Sequence, residues 1–372
     1  MSLRLILVSA SLIALAGCGA PDPAEQASST TGPGQQASVA PAAGGGVLTV
    51  EQIENGVIGA PAAAGSQPAG VTKTAATPTS GSGQTAAPAR AAAQGPDAGM
   101  VRLQILLDRS PFSPGVIDGL GGENTRQAIA AWREANDMQG DTADAAMLER
   151  MIAADTSRVM SEYVLTPADV AGPFSPPAPA ELADLARTGV NYTSALERLA
   201  ERFHMTEALL QGLNPGVDFR SAGQRIVVPA VDNRPLANVA RIVVNKAERS
   251  ARAFDASGKL LAFYPATIGS SERPAPSGTV TVVGVAPEPD YTYDPSRVTY
   301  DRGNQKIVIP AGPNNPVGTV WIDLSRDTYG IHGSPDPSKI GKTASNGCVR
   351  LTNWDAEQLA AGVKPGVEVR FV

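Results

Sequence analysis

"YGIHGSPDPSKIGKTASNGCVRLTNWD", residues 329–355, holds one of the chain's two histidines and one of its two cysteines, sixteen positions apart. A thiol with a free pKa of about 8.5 is a poor nucleophile until it loses its proton, and a hydrogen-bonded imidazole accepts that proton near neutrality. The sequence supplies one such pair, His332 and Cys348, and the competing reading of Cys348 is a buried structural cysteine. Gly347 lets the backbone approach a developing oxyanion closely, so the amides of Gly347 and Cys348 are candidate donors, each worth about 3 kcal/mol in the transition state. Arg350 carries a planar fork suited to a substrate carboxylate, with an internal ion pair to Asp336 or Asp355 as the alternative. Ser345 reads as a local hydrogen-bonding residue rather than a proton carrier.

The frame around this stretch is mainly β. Ile242 and Val244, then Leu260, Ala262 and Tyr264, then Val280, Val282 and Val285 alternate or nearly alternate between turn signals such as Ser257-Gly258 and Ser277-Gly278. Further strands are predicted at Lys306 to Ile309, Thr319 to Leu324 and Val367 to Phe371. One helix is predicted from Trp354 to Ala361, begun by Thr352 or Asn353 and ended by Gly362.

Upstream the period changes to that of helices. Val101, Ile105 and Leu106, then Ile129, Trp132 and Ala135 after a predicted N-cap at Thr125, then Met147, Leu148, Met151 and Ile152 supply three apolar faces. With the loop residues Ile117, Asp118, Gly119, Gly122 and Thr125 they resemble a peptidoglycan-binding type 1 domain, over residues 98–155; a bundle that merely spaces other domains is the alternative. After a proline-rich connector at 156–189, Leu196, Leu199, Ala200 and Phe203, then Leu209, Leu210 and Leu213, then "GQRIVVP" give helix, helix and strand. That order, at 190–231, resembles a LysM module, whose family binds N-acetylglucosamine polymers, although Thr193-Ser194-Ala195 stands where that family has G-D-T. His204 reads as a surface residue at the end of the first helix.

The chain opens on one positive charge, Arg4, an apolar run from Leu5 to Ala16 and small residues, which reads as a secretory signal over 1–18. Leu15-Ala16-Gly17-Cys18 resembles a bacterial lipobox, which implies acylation of Cys18, a lipid anchor and a place in the cell envelope on the periplasmic face, with Gly19 favouring the outer membrane. A thioether at Cys18 cannot pair, which leaves Cys348 expected as a free thiol. Residues 19–97 are rich in Ala, Gly, Pro, Ser and Thr with no aromatic residue, a tether that cannot bury enough apolar surface to fold. At roughly 80 residues it spans about 50 Å r.m.s.. Within it Val47 to Ile58 reads as a solvated patch, with a short docking helix as the alternative. Thirty basic against thirty-six acidic residues, net −6, argue against nucleic acid as a partner.

The opening stretch also resembles the active-site signature of the L,D-transpeptidase catalytic domain, the YkuD family. His332-Gly333 begins it and Ser345, Gly347, Cys348 and Arg350 complete it, while Pro276-Ser277-Gly278-Thr279 and "GPNNPVGTVWIDL" extend the likeness over residues 237–372. The resemblance implies a multidomain chain ending in a β-sandwich or barrel, with peptidoglycan stem peptides as substrate and neither cofactor nor metal. By it, Cys348 attacks the third-residue carbonyl of a stem tetrapeptide and expels D-alanine. His332 acts as base and then acid, oriented by the Gly333 carbonyl or the Ser334 side chain, and an incoming amine forms a 3→3 cross-link from the thioester. Water in place of the amine gives a carboxypeptidase, a free D-amino acid gives exchange, and an idle domain gives a wall-binding scaffold. Asn346 departs from the family, which has histidine there; an asparagine amide donates a hydrogen bond but carries no proton.

Overall fold

The computed structural model describes residues 47–58, 95–232, 234–270, 273–298 and 301–372. The signal segment, Cys18 and the tether on either side of residues 47–58 lie outside the described residues. Among those described, no helix is long and apolar enough to cross a membrane.

Residues 47–58 are docked, against the expectation of a solvated patch. Thr49 and Gln52 form a reciprocal capping box that starts α1 (Val50–Glu54), and Ile53 is fully buried. The Glu54 carboxylate accepts hydrogen bonds from the Val159 and Met160 amides at 3.3 and 3.0 Å. Gly99 permits the contact, since a Cβ there would lie 2.3 Å from the Val57 carbonyl oxygen. Polar composition hid a segment whose one buried isoleucine and self-contained cap are enough to anchor it.

Three helices follow, α2 (Ala98–Arg109), α3 (Glu123–Ala135) and α4 (Ala145–Ala154), with Val101, Ile105, Ile129, Trp132, Met147 and Met151 turned inward. The α2–α3 loop is held by Gln104, whose Oε1 accepts from the Asp118 and Gly119 amides while its Nε2 donates to Asp118 and Thr125. Helix α3 is therefore capped at Gly122, and Thr125, the expected N-cap, is buried inside it as an acceptor for Gln104.

Next come β1 (Met160–Val164), α5 (Pro167–Val170), α6 (Leu182–Thr188), α7 (Ala195–Arg202), α8 (Glu207–Leu213) and β2 (Arg225–Pro229). β1 pairs antiparallel with β2, from Met160↔Pro229 to Val164↔Arg225. The unit thus draws its first strand from residues expected as connector, and the stretch carrying α5 and α6 is an insertion between β1 and α7. A strand that pairs with a partner some sixty residues away leaves no local signal beyond its own five residues.

The C-terminal domain holds β3 (Arg241–Asn245), β4 (Ser250–Phe254), β5 (Leu260–Pro265), β6 (Thr267–Ile268), β7 (Gly278–Pro287), β8 (Tyr291–Tyr293), β9 (Ile307–Ile309), β10 (Val320–Leu324), β11 (Gly330–His332), β12 (Val349–Arg350), α9 (Asn353–Gly362) and β13 (Glu368–Phe371). Nine strands form one sheet in the order β5-β4-β3-β13-β7-β10-β11-β12-β6, and β8-β9 is a separate hairpin. The two edge strands, β5 and β6, are separated by Ala266 alone, so the sheet must curl until its edges nearly meet. This mainly β, near-barrel architecture agrees with the sequence reading. The exposed edge of β5 is covered by residues 111–113, where the Phe263 amide donates to the Pro111 carbonyl at 3.0 Å and the Ser113 amide donates to the Phe263 carbonyl at 2.9 Å.

At this junction His204 is only 4% exposed, not a surface residue. Its Nδ1 lies 3.0 Å from Asp108 and its ring stacks on Trp354 at 4.8 Å. His204 sits at φ +54° just past the end of α7, and the C-terminal domain supplies it with a flat aromatic partner that helical periodicity cannot reveal. Beside it Asp355 accepts from Ser113 at 2.9 Å and lines, with Asp108, His204, Asp232 and Glu357, a cavity of about 100 Å³. Burial, and then the Asp108 carboxylate, push Asp355 from 3.8 up to about 7. The folded state therefore binds a proton here that the unfolded chain has released, and this contribution to stability falls as pH rises from about 4 to about 7. Asp355→Asn is expected to gain stability over wild type by about 2 kcal/mol more at pH 8 than at pH 5, as urea titrations at the two pH values will read.

Candidate active site

The site is built by three adjacent strands. β11 pairs parallel with β12, Ile331↔Val349 and His332↔Arg350, and antiparallel with β10, Trp321↔His332. Partners in register share a face, so Trp321, His332 and Arg350 project to the same side, and Cys348, just before β12, falls in the same buried cluster as Trp321. Continued one residue back from Val349, the β11–β12 pairing brings Cys348 to the position diagonal to His332. Trp321 stacks on the imidazole, ring centres 5.3 Å apart and planes 17° from parallel. Gly330 allows this, because a Cβ there would fall 2.4 Å from the indole.

His332 is fully buried. Its Nδ1 donates to the Gly333 carbonyl at 2.7 Å, which leaves Nε2 as the lone-pair nitrogen; Nε2 meets no hydrogen-bond partner among the described residues. Burial, then the Arg350 charge, hold the imidazole down at about 3, with the Gly333 and Val317 backbone acting in the opposite direction. The ring is neutral at any working pH. Of the two groups expected to orient it, the Gly333 carbonyl does so; Ser334 instead exchanges bonds with the Asp336 backbone at 3.3 Å.

The turn before β12 is shaped by Ser345 and Gly347. The Ser345 hydroxyl donates to the Cys348 carbonyl at 2.6 Å and accepts from the Gly347 amide at 3.2 Å. Gly347 sits at φ +111°, where a Cβ would also lie 2.8 Å from the Tyr329 ring. The Gly347 amide, expected as an oxyanion donor, is thus committed to Ser345. Asn346 accepts from the Arg273 guanidinium at 2.6 Å. Asp336 and Asp355, the anions considered for Arg350, meet Lys339 at 3.5 Å and Ser113 at 2.9 Å respectively. The Cys348 sulfur lies 3.7 Å from the Thr328 carbonyl oxygen. The sulfur is disulfide-bonded, not the free thiol expected, and Cys18, the chain's other cysteine, lies outside the described residues. Nucleophilic chemistry belongs to the reduced sulfur.

Residues 239–370 match the family model of the YkuD L,D-transpeptidase catalytic domain. The YkuD protein of Bacillus licheniformis is 32% identical over 176 residues, 47% of this chain and 91% of its own length. The chain belongs to the YkuD family of L,D-transpeptidases. The ErfK/SrfK protein of Escherichia coli, also named for L,D-transpeptidase activity, is 31% identical over 48% of this chain and 60% of its own. Among solved structures, L,D-transpeptidase 3 from Mycobacterium tuberculosis in complex with a faropenem-derived adduct aligns over 40% of this chain and 74% of its own, at 16% identity and a TM-score of 0.31.

In this L,D-transpeptidase domain the sulfur is covered. Cys348 is 1% exposed and shares an apolar cluster with Tyr291 and Tyr293 of β8, Ile309 of β9, and Leu182 and Leu185 of α6. The insertion that carries α6 is fastened to the domain by the Asn314 amide, which donates to the Val190 carbonyl at 2.9 Å, and by the Asn314 side chain, which donates to the Asn191 carbonyl at 3.0 Å and to Glu197 at 2.9 Å. Sequence reasoning missed this cover, and Trp321 as the ring beneath His332. An alternation count that had placed Trp321 and His332 on facing strands would have found the second; nothing local signals the first.

Proposed function

We propose that this protein is an L,D-transpeptidase that forms 3→3 cross-links in peptidoglycan through a thioester on Cys348. The observation that carries the reading is the parallel pairing of β11 with β12, which sets a neutral imidazole, its lone pair on Nε2, on the same face as the cysteine. The Cys348 sulfur attacks the carbonyl of the third residue of a stem tetrapeptide, its proton passing to His332 Nε2. The C–N bond breaks, D-alanine leaves with that proton, and the thioester remains. An amine from a neighbouring stem then attacks, delivers its proton to His332 and takes the acyl group, restoring the thiol. The thioester conserves the free energy of the broken peptide bond, so no nucleotide is consumed. Arg350, on the same face, binds a carboxylate of the donor.

The rest of the chain supports a wall-directed role. The tether and the peptidoglycan-binding-like and LysM-like units would each raise the local concentration of a polymeric substrate, as would lipid attachment to the outer membrane in a chain whose Cys18 sulfur carries the thioether rather than a disulfide. Incubating reduced protein with tetrapeptide muropeptides and separating the products tests the reading. Cross-linked dimers with released D-alanine support it, D-alanine and tripeptide alone indicate hydrolysis, and no change in the muropeptides leaves a wall-binding protein.

With Cys348 1% exposed, substrate reaches the sulfur only when the apolar cluster it shares with α6 and the β8-β9 hairpin opens. A Leu182→Ser, Leu185→Ser double variant removes two apolar anchors at about 1.5–3 kcal/mol each. It is expected to let iodoacetamide alkylate reduced Cys348 at least about tenfold faster, since 1.4 kcal/mol of weakened closure already gives that factor.

A further inference from the structure

Asn353 is the first residue of α9 and is 4% exposed, yet it is not the residue that caps that helix; Thr352 is, accepting from the Asp355 amide at 3.2 Å. Asparagine is a poor helix former, so its burial here calls for another cause. All four of its side-chain hydrogen-bonding positions are filled. Oδ1 accepts from the Thr319 and Ser334 amides at 3.2 and 3.1 Å, and Nδ2 donates to Glu201 Oε2 at 3.1 Å and to the Pro313 carbonyl at 3.2 Å. Two glycines make the approach possible, because a Cβ on Gly318 or on Gly333 would lie 2.2 Å from Oδ1.

The Ser334 N–H and the Gly333 C=O are the two ends of one planar peptide unit and point in opposite directions. Asn353 holds the N–H end, and His332 Nδ1 donates to the C=O end at 2.7 Å. Rotation of that peptide would break both contacts and free the imidazole to move its proton to Nε2, the nitrogen that must be vacant to accept from sulfur. The orientation of the Asn353 amide is set in turn by Glu201 on α7, a buried acceptor outside the catalytic domain. We propose that Asn353 is a positioning residue for the histidine, fixing the Gly333–Ser334 peptide so that His332 keeps its Nδ1–H form, and that Glu201 couples this to the preceding module. Burial raises Glu201 to about 8, so at neutral pH it is an uncharged acceptor that costs little to keep inside. The catalytic meaning of this assignment rests on the proposed acyl transfer; the tautomer itself does not.

The test is ¹⁵N-edited NMR of the imidazole nitrogens in the reduced full chain, which has only two histidines to assign. Wild-type His332 is expected to carry its proton on Nδ1. Asn353→Ala is expected to give a mixture with the Nε2–H form. It should also lower the rate of Cys348 acylation by tetrapeptide at least about tenfold, part of the hundredfold or more that a general base supplies, with KM within about twofold. A wild-type proton on Nε2, or Asn353→Ala with unchanged spectrum and rate, overturns the proposal. If Asn353→Ala does not fold, Glu201→Ala takes its place, and an unchanged imidazole spectrum there overturns it equally. If the tautomer behaves as expected but muropeptides never acylate Cys348, the function above fails and this inference stands.

Discussion

Cys348→Ala is expected to abolish release of D-alanine and formation of cross-linked dimers, to below about one part in ten thousand of the wild-type rate. With the sulfur gone no group on this face of the sheet can form the acyl intermediate, and water has no activated route to the carbonyl. The fold should survive. The backbone contacts at this position, the Ser345 hydroxyl to the Cys348 carbonyl and the pairing of β12 with β11 and β6, do not involve the side chain. The loss in stability is that of one small buried group, on the order of 1 kcal/mol. Muropeptide assays on the variant beside a thermal melt check both halves of the expectation. Activity that persists in a folded Cys348→Ala protein would remove this residue from the chemistry.

His332→Ala is expected to lower turnover by about a hundred- to ten-thousand-fold, the range of a positioned general base. The sharper signature is in the pH dependence. A histidine with an ordinary pKa of about 6.5 would lose its base form as pH falls from 7 to 5 and the rate would fall with it. His332, held at about 3 by burial and by Arg350, keeps its lone pair through that window, so no inflection near pH 6.5 is expected in the wild-type acylation rate. The same depression affects stability. The unfolded chain takes up a proton at this histidine below about 6.5 and the folded chain does not until about 3, so its contribution is complete above pH 6.5 and declines as the pH falls towards 3. The rate profile is measured by single-turnover acylation and the stability profile by urea unfolding across the same pH range.

The parts of the molecule legible in its sequence are those with local periodicity or turn chemistry. Alternation at Ile242 and Val244 and at Leu260 to Tyr264, and the cap and stop around α9, lie within a few residues of one another, and the structure forms β3, β5 and α9 there. His332 and Cys348 could be named because the chain is so poor in both residue types. What was not legible depends on partners far along the chain. His204 stacks on Trp354, 150 positions later, and α1 is met by the Val159 and Met160 amides, more than a hundred positions away, which bond to Glu54. The donor status of the Gly347 amide turned on which way the Ser345 hydroxyl rotates, and the importance of Asn353 on a peptide plane it touches through space. The insertion over the sulfur reads as an ordinary proline-rich connector, since its leucines differ from any other small helix only in what they cover.

Intact-mass analysis of the reduced protein after brief incubation with a tetrapeptide muropeptide bears most directly on the chemistry. The expected result is an adduct equal to the mass of the donor less D-alanine, located at Cys348 by proteolysis, stable without an acceptor and discharged when one is added. Release of D-alanine with Cys348 unmodified throughout, or an acyl group on any other residue, would contradict it.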